Sequence, residues 1–244
     1  MFDRKALRLS AVLLLGGFIT YVVVTFLHTG GPANDHKVIF DDYAGSHDWA
    51  AVHLGQFAGM TVIIAGLLAL FVAVGIRTGA AAWLARLGAV LAAVALGLYG
   101  VLQAVDGVAL KQAVDAWVSA PAADKAVRFA NAETVRWLEW GTHSYHSFTL
   151  GLALILLGSA VALAKRLPKA LGFLMGLNGL AYLAQGWVLG SDGFSAGNTT
   201  AILATYILML AWTVWLTVLA WRPRGAMNSA EPLTGVADPS PVAS

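Results

Sequence analysis

Six runs of about twenty predominantly apolar residues constrain this chain before any motif is read. They cover approximately residues 7–27, 52–76, 82–105, 142–164, 167–189 and 199–221. A hydrocarbon core about 30 Å thick is crossed by about 20 residues of α-helix. Inside it every backbone N–H and C=O needs an internal partner, which leaves only helices or closed barrels. Barrel strands would alternate in shorter segments, whereas these runs are continuous and rich in Ala, Leu and Gly. The sequence therefore predicts an all-α, polytopic membrane helix bundle of six transmembrane helices over residues 1–221. Residues 222–244, rich in Pro, Ser, Gly and Ala, read as a disordered cytoplasmic tail. Composition agrees: 59% hydrophobic and 11% charged residues are too few ionisable groups to cover a water-soluble domain of 244 residues.

The first run follows basic residues, as a secretory signal does, but no small-x-small cleavage pattern comes after it, so it reads as a retained helix. Orientation follows from the basic residues. Arg4, Lys5 and Arg8 precede the first run, Arg77 and Arg86 flank the second connection, Lys165, Arg166 and Lys169 flank the fourth, and Arg222 and Arg224 follow the last. These are ten of the fifteen basic residues, and the positive-inside rule makes their side cytoplasmic, with both termini inside. The opposite side is acidic and carries Asp106, Glu139 and Asp192 among others. Zero cysteine excludes disulfides, thiolate ligands and thiol catalysis.

Three outer connections follow. Residues 28–51 contain "HTGGPANDH" and favour turns over regular structure. Residues 106–141 read as two helical pieces split at "SAPAAD", where Pro121 stops one and Asp124 caps the next, which runs unbroken into the fourth span. Trp117, Trp137 and Trp140 are expected at headgroup level. The third, "GSDGFSAGN", is a short turn. The first two together form a partly helical outer cap.

All six histidines fall on this outer side. In "EWGTHSYHSF", His143 and His146 share a helix face with Glu139. His53 and Gln56 have the same spacing one turn into the second span. Tyr99, Gln103 and Asp106 close the third span, and Tyr182, Gln185 and Asp192 close the fifth. The two hairpins match loosely and only with gaps; a parallel repeat about an axis along the membrane normal would give this, but chance similarity between Ala-, Gly- and Leu-rich helices accounts for it better. The expected ligand-binding residues are thus His53, Gln56, Tyr99, Gln103, Asp106, Tyr182, Gln185 and Asp192. The expected metal ligands are His53, Glu139, His143 and His146, since imidazole with carboxylate suits zinc, copper or non-haem iron, and paired imidazoles can hold haem. No HExxH or complete zinc signature is present. The same residue types also suit a wet interface, and imidazoles in an acidic patch can titrate near neutral pH. Asn178 lies mid-span among Gly172, Gly176 and Gly179, the spacing of an interhelical hydrogen-bond group between closely approaching helices. No Lys, Arg, Asp or Glu occupies the central depth of a span, which argues against a buried-carboxylate proton relay. No phosphate-binding loop, nucleophile elbow or nucleic-acid surface is present.

The strings "ANDH", "WAAVHLGQFAGM", "LYGVLQAVDGVALKQAVDAW" and "LAYLAQGWVLGSDGFS" resemble a group of uncharacterised bacterial multi-span integral membrane proteins known only as a domain of unknown function. That resemblance implies a bacterial inner (plasma) membrane and offers no catalytic residues. The expected function is binding or sensing of a small ligand or proton at an outward-facing His/carboxylate pocket. The alternatives are a membrane oxidoreductase or hydrolase with a metal ion or haem there, and a small-molecule transporter moving its glycine-rich third and fifth helices. The expected partners are the lipid bilayer and a small molecule, and no nucleic acid.

Overall fold

A computed structural model describes residues 2–222, so the expected tail lies outside the described residues apart from Arg222. Every regular element among the described residues is helical. They are α1 (Arg4–Phe26), α2 (His36–Gly45), α3 (Trp49–Val74), α4 (Gly79–Ala104), a π-helical turn (Val105–Leu110), α5 (Lys111–Val118), α6 (Lys125–Ala164), α7 (Lys169–Asp192) and α8 (Ala196–Trp221). Capping side chains fix several starts: Asp3 accepts from Lys5 N and Ala6 N, Asp35 from Val38 N, and Ser195 from Asn198 N. Each satisfies backbone donors left without intrahelical partners. Asp124 precedes α6 where a cap is expected, but its side chain makes no capping bond.

Five stretches are long and apolar enough to cross a membrane: α1, α3, α4 continued to Val118, α6 and α8. The fifth run of the sequence, α7, has the length at 24 residues but is less apolar, because it carries Asn178, Tyr182 and Gln185. The chain is a helical membrane bundle.

Each long helix packs against two others in the order α1, α3, α4, α6, α7, α8 and back to α1. The result is a closed ring. Glycine sets its tightest seams. A Cβ added at Gly158 would come 2.5 Å from Gly172 O, and one at Gly151 would come 2.7 Å from Gly179 O, so α6 and α7 meet backbone to backbone as small-residue membrane interfaces do. Asn178 bridges α7 to α8, donating to Thr205 O at 3.0 Å and accepting from Trp212 Nε1 at 3.0 Å, which is the interhelical role its sequence context predicts. Leu9, Val90, Leu152, Phe173, Ile207 and Val214 stand exposed on the outside of the ring, an apolar surface suited to lipid.

Asp3 N donates to Ala73 O, Arg8 Nε to Ala220 O and Arg166 Nη1 to Val74 O. The start of α1, the ends of α3 and α8 and the entry to α7 therefore share one end of the bundle. The cap occupies the other end. It has its own small core of Ile39, Phe40, Tyr43, Trp49, Leu110, Val114 and Trp117. Two expectations are corrected here. The first outer connection is not turns alone, because α2 forms within it and lays Ile39, Phe40 and Tyr43 into this core. Trp117 is buried in the cap rather than turned to a headgroup layer, while Trp137 is exposed.

Candidate functional site

A cavity of about 310 Å³ lies at the cap end, and all six ring helices line it. Tyr21 and Thr25 come from α1, Gln56 from α3, Tyr99 and Gln103 from α4, Glu139, His143 and His146 from α6, Tyr182 and Gln185 from α7, and Tyr206 from α8. Asp106 enters from the π-helical turn, and the 28–33 loop with Tyr43 and Phe194 closes the outer side. The volume falls at the lower end of the range for small-molecule pockets, about 300–1,000 Å³. The ring explains the convergence: each helix presents at least one polar residue to the cavity, while its outer face stays apolar.

One ion pair dominates the electrostatics. Arg136 Nη1 donates to Glu139 Oε2 at 2.6 Å, and both side chains are 2% exposed. Nη2 donates to Ala33 O at 3.3 Å, and the guanidinium lies 4.7 Å from the Phe194 ring centroid and 5.5 Å from that of Tyr43. The three-residue spacing puts both groups on one face of α6, and burial makes the pair mutually obligatory. Burial also pushes the Tyr43 phenol well above its ordinary pKa, so it stays a neutral hydrogen-bonding group. Unpartnered buried atoms remain around this cavity: Gln103 Oε1, Asp106 Oδ1, Arg136 Nε, Ser147 Oγ and Gln185 Oε1. Buried polar groups are normally paired with protein, water or ligand, so the cavity offers these groups to water or to a polar ligand.

Next to the cavity, His28, His53 and Asp106 place ligand atoms within 4.8 Å of one another. His53 is buried behind Asp106, with Nε2 3.2 Å from Asp106 Oδ2. His53 Nδ1 donates to Trp49 O at 2.7 Å, and His28 Nδ1 donates to Thr29 O at 2.8 Å. Burial holds the His28 imidazole below its ordinary pKa despite the nearby Asp106 carboxylate, with His53 and Arg136 adding to the lowering. That is the reverse of an imidazolium stabilised by an acidic patch.

The expected residues divide accordingly. Gln56, Tyr99, Gln103, Asp106, Tyr182 and Gln185 meet in one cavity with Glu139, His143 and His146. Two of the expected set do not line it. Asp192 is exposed at the last residue of α7, where its carbonyl accepts from Asn34 Nδ2, and His53 stands in the layer behind. The expected quartet His53, Glu139, His143 and His146 does not close around a common point. Glu139 is taken by Arg136, His146 Nδ1 donates to Ala95 O at 2.9 Å, and the group of ligating type among the described residues is the one containing His28. Sequence reasoning passed over His28, Arg136, Tyr21, Tyr43 and Tyr206. The three-residue step from Arg136 to Glu139 was the available signal for one of them.

No protein-family model, curated protein or solved structure matches the chain.

Proposed function

We propose that this chain is a binding protein of the bacterial inner membrane, which takes a small polar molecule into the cap-end cavity from the extracytoplasmic side. The observation that carries this reading is the set of unpartnered donors and acceptors buried around one cavity to which every ring helix contributes. The Gln103 and Gln185 amides and Ser147 offer both donors and acceptors, and Arg136 and Asp106 add one charge of each sign. Tyr21, Tyr99, Tyr182 and Tyr206 supply the apolar walls and polar tips that small-molecule pockets use. The basic residues at the opposite end support the outward orientation. Binding fits better than a transporter in which α7 moves alone, because α7 packs backbone to backbone against α6 along much of its length.

The test is thermal unfolding of the detergent-solubilised full chain against a panel of amino acids, amines, polyols and small carboxylates. At least one compound should raise the unfolding midpoint in proportion to the logarithm of its concentration, and Gln185→Ala with Ser147→Ala should abolish the effect. If no compound shifts the midpoint, or if the shift survives both changes, the cavity reading is wrong.

A further inference from the structure

We propose that His28, His53 and Asp106 hold one divalent transition-metal ion of the imidazole-preferring kind, of which zinc is the representative, with the remaining coordination position turned to the cavity. This assignment goes beyond the cavity reading and does not depend on it.

The tautomers come first. A backbone carbonyl can only accept a hydrogen bond, so His53 Nδ1, 2.7 Å from Trp49 O, and His28 Nδ1, 2.8 Å from Thr29 O, each carry the ring proton. A neutral ring then has its Nε2 lone pair free. A second N–H held by a backbone carbonyl is the usual support of a metal-bound histidine, because it fixes tautomer and ring orientation. Here both rings have it before any ion enters.

The lone pair of His53 is also without a hydrogen-bond partner. His53 is 3% exposed, and its Nε2 is buried without a hydrogen-bond partner. It lies 3.2 Å from Asp106 Oδ2 but lacks the alignment of a hydrogen bond. Asp106 Oδ1 is buried and unpartnered as well. The imidazole nitrogen and the carboxylate it approaches are buried together, and such a pair is costly unless a cation, a proton or a metal ion, joins them.

The spacing suits a small ion. Zinc about 2.0–2.1 Å from each donor holds neighbouring donors roughly 3.3 Å apart. His53 Nε2 and Asp106 Oδ2 already have that separation. His28 sits in the loop after α1, with one ring nitrogen within 4.8 Å of the other two donors, and rotation of its side chain has to bring Nε2 to the ion.

The backbone is shaped for the site. Asp106 lies in a π-helical turn, a distortion that recurs where function requires a side chain to be re-aimed. Trp49 Nε1 donates to Asp106 O at 3.3 Å. A Cβ at Gly107 would meet His53 Cβ at 2.8 Å, so glycine there lets α3 bring His53 to the carboxylate. Two imidazoles and one carboxylate with an open position form a donor set used by zinc and by non-haem iron. His28 and Asp106 both line the cavity, so the open position faces it.

The test uses tag-free full-length protein in detergent, stripped with a chelator and titrated with Zn(II) by calorimetry and with Co(II) by absorption, with no organic ligand present. One equivalent per chain is expected, and Co(II) should show d–d bands of imidazole and carboxylate ligation. Asp106→Asn and His28→Gln should each weaken binding by roughly 100-fold, at least the loss that follows from disturbing ligand support alone. His47→Gln, an exposed loop histidine, should leave it unchanged. Asp106→Asn removes the partner of a buried ring and can disturb folding. His28→Gln leaves the His53–Asp106 pair in place, and an unfolding midpoint of the stripped variant close to that of the stripped parent keeps the test decisive. Substoichiometric binding, or full affinity in His28→Gln, would overturn the site and show that His53 and Asp106 merely share a proton. The cavity reading would survive that result.

Discussion

At the scale of single residues, burial decides what each charged group does. Arg136 and Glu139 are almost fully enclosed, so removing one strands the other. Arg136→Met should destabilise the chain by about 3–5 kcal/mol, whereas Arg136→Met with Glu139→Leu should recover most of that loss. Denaturant unfolding in mixed micelles measures both, and equal losses in single and double variants would show that the pair does not act as a unit. His28 gives a pH-dependent expectation for the metal-free chain. Its folded pKa lies below the ordinary 6.5 because the ring is buried near His53 and Arg136, with Asp106 opposing in part. As pH falls through 6.5 the unfolded chain binds this proton before the folded chain does, so stability declines and levels off only below the folded pKa. His28→Gln should flatten that part of the curve of unfolding midpoint against pH. Tyr99, Gln103, Tyr182 and Gln185 were legible because a polar residue at the end of an apolar run has few reasons to be there except an inward role. Arg136 and His28 were not. One reads as an ordinary outer charge and the other as a loop residue, and only the chain's path over the cavity buries them.

At the scale of elements, the departures from a plain membrane helix are where the candidate chemistry lies. The π-helical turn lets α4 continue into α5 while aiming Asp106 at His53, and Gly107 is its point of closest approach. Gly107→Ala places a methyl against His53 Cβ, which cannot swing aside like the tip of a flexible side chain. Zn(II) affinity in that variant should fall by roughly 10-fold or more, as for other losses of ligand support, and calorimetry on the stripped protein reads it. Unchanged affinity would mean that α3 can retreat without moving the ring. The unbroken passage of α6 into the membrane was legible, since no helix breaker interrupts residues 125–140. The helix α2 was not, because a ten-residue helix after Gly, Pro and Asn is marginal alone. It is held by the cap core that α5 and α6 complete.

At the scale of the whole molecule, the ring bears on whether α7, which is less apolar than its neighbours, crosses the bilayer with them. α7 runs antiparallel to α6 along its length: Gly172 meets Gly158, Gly179 meets Gly151, and Gly186 meets Ser144. Whatever thickness α6 crosses over these residues, α7 must cross too. Its polar residues Asn178, Tyr182 and Gln185 are buried in the ring, while Phe173, Leu177, Leu180 and Trp187 face outward. Average apolarity therefore understates its fitness for lipid, since a ring helix needs only its outer face to be apolar. The cysteine-free chain allows a direct measurement with single cysteines at exposed positions and a membrane-impermeant maleimide. Ser119→Cys in the cap and Ser191→Cys near the end of α7 should both label in intact cells. Thr78→Cys and Lys169→Cys, at the opposite end, should label only after permeabilisation. If Ser191→Cys and Lys169→Cys label from the same side, α7 does not cross, and the ring cannot stand in a bilayer as drawn. If all four label with the sides exchanged, the bundle is inverted and the cavity opens to the cytoplasm, where the acidic cap and its histidines would meet a different pool of ligands and metal ions.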